Sequence, residues 1–161
     1  MTGSHDMLVR LATFSEEEAP RVEGVVIRRA YGPEMERVTA WVREQFGEGW
    51  ASEVAQAFYG QPKRCLIATK NGQLLGVGAY DSSHLGVAGP LGVHPSARGL
   101  GVGAALIRAL MIEMKRRGYR YAILGWIPAN VQEFHRKATG AVNIEESVPG
   151  MEFFQGLLTL E

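Results

Sequence analysis

Val93-His94-Pro95-Ser96-Ala97-Arg98-Gly99-Leu100-Gly101-Val102-Gly103-Ala104 decides how this chain is read. An apolar run from Leu85 to Val93 leads into it, as a strand would. An amphipathic helix leaves it, with Val102, Ala105, Leu106, Ala109 and Ile112 on one side and Gly118 where a C-terminal cap belongs. Glycines at 99, 101 and 103 allow positive φ and close approach of a ligand, and N–H groups at a helix start have no partner within the helix. The helix dipole favours a phosphate there, and Arg98 adds charge beside it. A bare strand-to-helix turn needs neither three spaced glycines nor an arginine. The stretch reads as a phosphate site.

Gly99-Leu100-Gly101-Val102-Gly103-Ala104 formally fits the dinucleotide pattern G-x-G-x-x-A. That pattern should open a first βαβ unit and be followed about 20 residues later by an acid for the ribose. Here the next strand, Tyr121 to Leu124, ends in Gly125-Trp126 without one. No Gly-Lys-Ser/Thr follows the glycines, so a Walker loop fails too. NAD or ATP binding at the loop is the weaker alternative.

Working outward, Val25-Val26-Ile27 suits a strand. Pro33 opens a helix to about Phe46, with Met35, Val38, Trp41, Val42 and Phe46 on one face. A second helix covers Ala51 to Phe58, and Gly60 and Pro62 stop it. Cys65 to Ala68 and Leu74 to Tyr80 form strands about the Asn71-Gly72 hairpin signal. Asn130 to Thr139 is a helix closed by Gly140, and Val142–Ile144 and Met151–Leu160 are expected as closing strands. The order is β-α-α-β-β-β-α-β-α-β-β. The fold class is α/β in the broad α+β sense: a mixed, mostly antiparallel sheet of six to seven strands flanked by helices. Residues 1–24 are read as a tag-cleavage scar (Gly3-Ser4-His5) followed by a weakly structured lead-in, and residues 25–161 as one domain. Lys115, Arg116, Arg117 and Arg120 are expected to complement a helix C-terminus.

Composition narrows the function. The 161 residues carry 17 Lys plus Arg against 17 Asp plus Glu, a formal net charge of zero. Nucleic acid and anionic membrane surfaces, which call for excess positive charge, are therefore not expected as partners. No apolar run approaches the roughly 20 residues of a membrane span, and no signal peptide is evident, so a soluble cytoplasmic protein is expected. The one cysteine, Cys65, sits in an apolar strand and reads as core; with a single cysteine, no metal site is expected.

The loop and its setting resemble the GNAT superfamily of acetyl-CoA-dependent N-acetyltransferases. Their pyrophosphate loop, Q/R-x-x-G-x-G/A, is similar to Arg98-Gly99-Leu100-Gly101-Val102-Gly103, preceded by Leu91-Gly92-Val93-His94-Pro95. A second family segment resembles Asn130 through Phe134-His135-Arg136-Lys137 to Gly140-Ala141. Gly89 to Val93 and Ser147-Val148-Pro149-Gly150 look like those of small bacterial members. The resemblance covers residues 25–160 or so. It implies a GNAT acyl-CoA N-acyltransferase fold with a central splayed strand pair, and acetyl-CoA as cosubstrate without a metal. The pyrophosphate then falls to the backbone of Arg98, Gly99, Leu100, Gly101, Val102, Gly103 and Ala104, and the pantetheine arm to Leu91, Gly92 and Val93. Asn130, Phe134 and Lys137 join the cofactor side.

The same resemblance implies direct attack by a primary amine of a small molecule, in a ternary complex, with a homodimer as one assembly. The Val93 N–H, at a bulge, would hold the oxyanion. The family commonly uses a carboxylate base and a tyrosine acid. Here no carboxylate lies between Leu85 and Val93, and the tyrosine place holds His135, whose unperturbed pKa of about 6.5 suits proton transfer. The other reading of His135 is a surface histidine beside Arg136 and Lys137. Asp81 and His84 are candidates to reach the amine, although Asp81 also suits a turn cap. Trp50, Tyr80, Trp126 and Glu152 are the expected acceptor walls. The departures at base and acid leave a second class of function open, a CoA-binding sensor or interaction module without turnover.

Overall fold

A computed structural model describes residues 3–17 and 21–147. Its strands are β1 (His5–Arg10), β2 (Val26–Arg29), β3 (Cys65–Lys70), β4 (Gln73–Tyr80), β5 (Val87–Val93), β6 (Tyr121–Ile127) and β7 (Val142–Asn143). The helices are α1 (Met35–Phe46), α2 (Glu48–Phe58), α3 (Val102–Arg116) and α4 (Ala129–Thr139). One mixed sheet runs β2-β3-β4-β5-β6-β1-β7, antiparallel at every step except β5–β6.

Strand alternation sends side chains to two layers. On one face Ile67, Val77 and Ala79 meet Val38, Val42, Val54 and Phe58 of α1 and α2. On the other, Leu66, Tyr80 and Leu124 meet Leu106, Ile107, Leu110, Met111 and Met114, the buried stripe of α3, with Ala138 of α4 beside them. The parallel pair β5–β6 is joined only at Val87↔Ile123 and Ala88↔Leu124. Beyond it the strands part into the expected splay, which opens toward the glycine loop.

The opening residues differ from expectation. Instead of a scar and lead-in, His5–Arg10 is a strand between β6 and β7, paired with Tyr121–Ile127. Met7, Val9 and Leu11 are buried completely or nearly so. The chain then crosses α3: Lys115 Nζ donates to the Phe14 carbonyl at 2.6 Å, and Arg108 donates to those of Ser15 and Glu17. Thus Lys115, which stands with Arg116 in the last turn of α3 as expected, also ties down the N-terminal segment. The expected strand Met151–Leu160, with Val148, Pro149, Gly150 and Glu152, lies outside the described residues.

Candidate functional site

The splay leaves one edge of β5 without a strand partner over its last residues. His94 N–H donates to the Leu75 carbonyl at 2.7 Å, and Val93 pairs with Gly76, Gly92 with Val77 and Leu91 with Gly78. Antiparallel pairing alternates bonded and non-bonded residues. Gly92 and His94 therefore turn their backbone groups to β4, while Leu91 and Val93 turn theirs into the cleft. The register shift lies between Gly78 and Tyr80, opposite Leu91 and Ala88, so the irregularity falls at Gly89–Pro90. Val93, expected at a bulge, stands in regular pairing instead, and its N–H reaches the cleft by alternation.

At the cleft mouth the loop takes the geometry an anion needs. His94 Nδ1 accepts from the Ser96 N–H at 3.1 Å and fixes the turn Pro95–Ala97. Gly99 and Gly101 have φ of +75° and +89°, and Gly101 is the left-handed N-cap of α3. The first bond of α3 runs from Ala105 N–H to the Gly101 carbonyl, leaving the N–H groups of Val102, Gly103 and Ala104 without helical acceptors. Arg98 is exposed, and its Nε donates to the Val93 carbonyl at 3.2 Å, which folds the side chain over the end of β5. Phe134 of α4 closes the other side: a Cβ at Gly103 would lie 3.3 Å from its ring and 3.5 Å from Val93 Cγ2. Val93, Gly103 and Phe134 therefore converge. Asn130 and Lys137 are exposed on α4, and Lys137 sits 3.9 Å from Glu133.

The opposite face of β5 carries an aromatic row. A Cβ at Gly92 would meet the Phe46 ring at 2.5 Å, so only glycine lets Phe46 lie against the strand. Trp50 stacks on Phe46 at 4.9 Å, Trp41 meets its edge at 5.8 Å, and His94 lies 6.4 Å from Trp41. Trp50 is partly exposed, as a wall should be. One helical turn on, at the i+3 position, stands Glu53, half-buried. Burial raises its carboxyl above the usual range, while the charge of His84 opposes the rise. Sequence reading passed over Glu53 because it lies some 40 residues before the loop and belongs to no motif; Trp50, three residues earlier, was the only pointer.

Other expected residues stand elsewhere. Asp81 accepts from the Gly86 N–H at 2.7 Å through Oδ1 and from the Tyr119 hydroxyl through Oδ2, so it holds the β4–β5 turn and is not placed as a base. Tyr80, expected on the acceptor wall, is fully buried on the α3 face of the sheet. Trp126 is half-buried with φ +52°, and its N–H donates to Asp6 Oδ1 at 2.7 Å. His135 is buried rather than on the surface, its Nδ1 without a hydrogen-bond partner, and burial pushes its pKa down. Burial drives the Cys65 thiol up to about 12, consistent with an inert core residue. Among the described residues no cluster of three metal-binding side chains occurs, and no helix is long and apolar enough to cross a membrane.

Residues 35–140 match the model of the acetyltransferase (GNAT) family. An acetyltransferase of Pectobacterium atrosepticum is 35% identical over 86 residues, covering 50% of this chain and 60% of that protein. Among solved structures, a GCN5-related N-acetyltransferase from Sphaerobacter thermophilus is similar with a TM-score of 0.71 at 22% identity, over 88% of this chain and 48% of its own. A GNAT family acetyltransferase from Brucella melitensis, solved in complex with acetyl-CoA, has a TM-score of 0.53 at 20% identity, over 78% of this chain and 91% of its own.

Proposed function

The chain belongs to the GNAT acetyltransferase family, and from that premise we propose that it moves the acetyl group of acetyl-CoA to a primary amine of a small molecule by direct attack. The observation that carries this reading is the pair of backbone N–H groups at Leu91 and Val93, turned into the splay beside the glycine loop. A pantetheine arm can pair with that edge as an added strand would, while the N–H groups of α3 and Arg98 take the pyrophosphate. The solved Brucella relative in complex with acetyl-CoA supports the same cosubstrate.

In the reaction the amine nitrogen attacks the thioester carbonyl carbon. A C–N bond forms, the C–S bond breaks, sulfur departs as thiolate, and the ammonium proton passes to a base. The Val93 N–H is suited to hold the developing oxyanion. Glu53 is our candidate for the base. Its raised carboxyl brings it nearer the working pH, and Trp50 beside it offers an aromatic face to a cation. His135 is retained as candidate proton donor to sulfur. Binding of CoA without turnover is the second reading, favoured by a β5 that carries no carboxylate.

Incubation with acetyl-CoA and a panel of primary amines, read by thiol release, tests the proposal. At least one amine should be acetylated. Glu53→Gln should lower its turnover by about 10²-fold, within the usual range for a lost acid or base, with acetyl-CoA affinity kept. Tight acetyl-CoA binding with no thiol release from any amine favours the second reading.

A further inference from the structure

A cavity lies on the outer side of α3, apart from the β5–β6 cleft. It has a volume of about 690 Å³ and runs between β2, the N-terminal crossing segment and the outer side of α3. Arg29, Glu113 and Arg117 line it together with Pro62 and Leu66. Glu113 lies eleven residues after Val102, about 16 Å along the helix at 1.5 Å per residue. The cavity thus runs along the outer side of α3 from Ala105 to Glu113 and beyond, and the Arg29–Glu113 pair lies toward the helix end farther from the glycine loop.

Six arginines and two glutamates line the cavity. Arg28 is matched by Glu34 through two hydrogen bonds, Arg29 pairs with Glu113, and Arg116 pairs with Glu16, so the lining is rich in guanidinium groups. Val25, Ile27, Ala109 and Ile112 supply apolar wall. The second observation is a set of orphaned atoms. Six buried side-chain polar atoms among the described residues lack a hydrogen-bond partner; Arg29 Nε and Glu113 Oε2 belong to the cavity lining, while Arg64 Nε and Tyr80 OH lie on residues outside it.

Pairing explains why they gather. Arg29 stands opposite Leu66 on β3, and the Tyr80 N–H donates to the Arg64 carbonyl at 3.2 Å. By alternation Arg29, Leu66 and Tyr80 face α3. Arg29, Arg64, Arg117 and Asp81 are the charges around the Tyr80 hydroxyl. Buried polar groups are as a rule satisfied, and the two unsatisfied atoms of the Arg29–Glu113 pair in the cavity lining mark a place that can receive a partner.

We propose that this cavity is a second ligand site, taking a small organic anion whose acidic group enters at the Arg29–Glu113 end and whose apolar body lies against Ile27 and Ile112. Carboxylate and phosphate monoester share the chemistry. A guanidinium N–H donates to either, and Glu113 Oε2 accepts from a hydroxyl or ammonium on the same molecule. The volume suits a metabolite-sized ligand. The site is independent of acetyl transfer.

Calorimetry with phenylacetate and phenyl phosphate tests this, with inorganic phosphate and benzyl alcohol supplying the charge and the ring separately. At least one organic anion should bind saturably, one per chain, and each half-probe about tenfold more weakly or worse. Arg29→Met should weaken binding by about 10- to 100-fold, the usual worth of a charged hydrogen bond. That variant strips Glu113 of its partner and can fail to fold. Ala109→Phe keeps the test standing: it fills the cavity from α3, touches no charged group, and should abolish binding in a protein with unchanged circular dichroism. No saturable binding to the unaltered protein at millimolar probe overturns the proposal. So does binding that survives Ala109→Phe, or complete displacement by CoA, which would put the anion in the glycine loop.

Discussion

The two ends of α3 offer positive potential by different means. At the N-terminal end the donors are backbone N–H groups, fixed by Gly99 and Gly101 at positive φ, and one exposed arginine stands nearby. Toward the C-terminal end the donors are guanidinium groups from β2 and from α3 and its cap, partly neutralised by Glu113. Backbone donors need only a local turn, so they leave a compact trace in sequence. Side-chain donors at 28, 29 and 117 meet only after β2 and α3 have packed. A backbone cradle also resists mutation of side chains but fails when a side chain is added. The converse holds for the arginine cavity.

The largest effect expected of this contrast is at Gly103. Gly103→Glu should abolish acetyl-CoA binding by calorimetry, because its Cβ starts 3.3 Å from the Phe134 ring and its carboxylate faces the positive end of the helix dipole. Arg98→Ala should weaken binding by only about tenfold, the worth of one charge-assisted contact, since the backbone donors survive. Undiminished affinity in Gly103→Glu, or abolition in Arg98→Ala, would reverse the assignment of donors at this end.

Next in size is the N-terminal strand. Met7 is completely buried between sheet and α3, so Met7→Ala should cost about 2–5 kcal/mol in denaturant unfolding. A loss under about 0.5 kcal/mol, ordinary for a surface site, would return residues 5–10 to the status of a lead-in.

These two positions mark how far the sequence could be read. The glycine loop, α3 and the two hairpin strands around Asn71-Gly72 declare themselves through local turn chemistry and periodicity, and the structure has them where the pattern puts them. His5-Asp6-Met7-Leu8-Val9-Arg10 is six residues long, mixes charge with apolar side chains, and follows a Gly-Ser-His that resembles a tag remnant. Its pairing with Tyr121–Ile127 spans more than a hundred residues of chain, which no local pattern encodes. The acceptor side was half legible. Trp50 was marked by its glycine neighbour, but Glu53 acquires its raised carboxyl only from burial in the folded chain, and Tyr80 loses its expected place because strand parity turns it to α3.

The smallest effect, and the sharpest, concerns His135. Burial alone lowers its pKa below the ordinary histidine value, so the folded protein favours the neutral ring. An unfolded chain protonates the same ring near pH 6.5. Below that pH the unfolded state binds more protons than the folded one, so stability rises with pH across the window between the folded and unfolded values. The contribution is therefore complete above about pH 6.5 and is lost as pH falls through the lowered pKa. His135→Tyr removes this titration, and its stability should fall less steeply on acidification than that of the parent. Glu34, held low by Arg28, also loses stability in acid, but equally in both proteins, so the difference between them isolates the imidazole. Turnover adds a second readout. If the imidazolium gives its proton to sulfur, activity should decline as pH rises through the lowered pKa, His135→Ala should lose about 10- to 100-fold, and His135→Tyr should hold activity to higher pH. Parallel stability curves for parent and His135→Tyr would mean that the ring is solvated in the folded protein. Equal turnover of parent and His135→Ala across the pH range would leave the thiolate to take its proton from water.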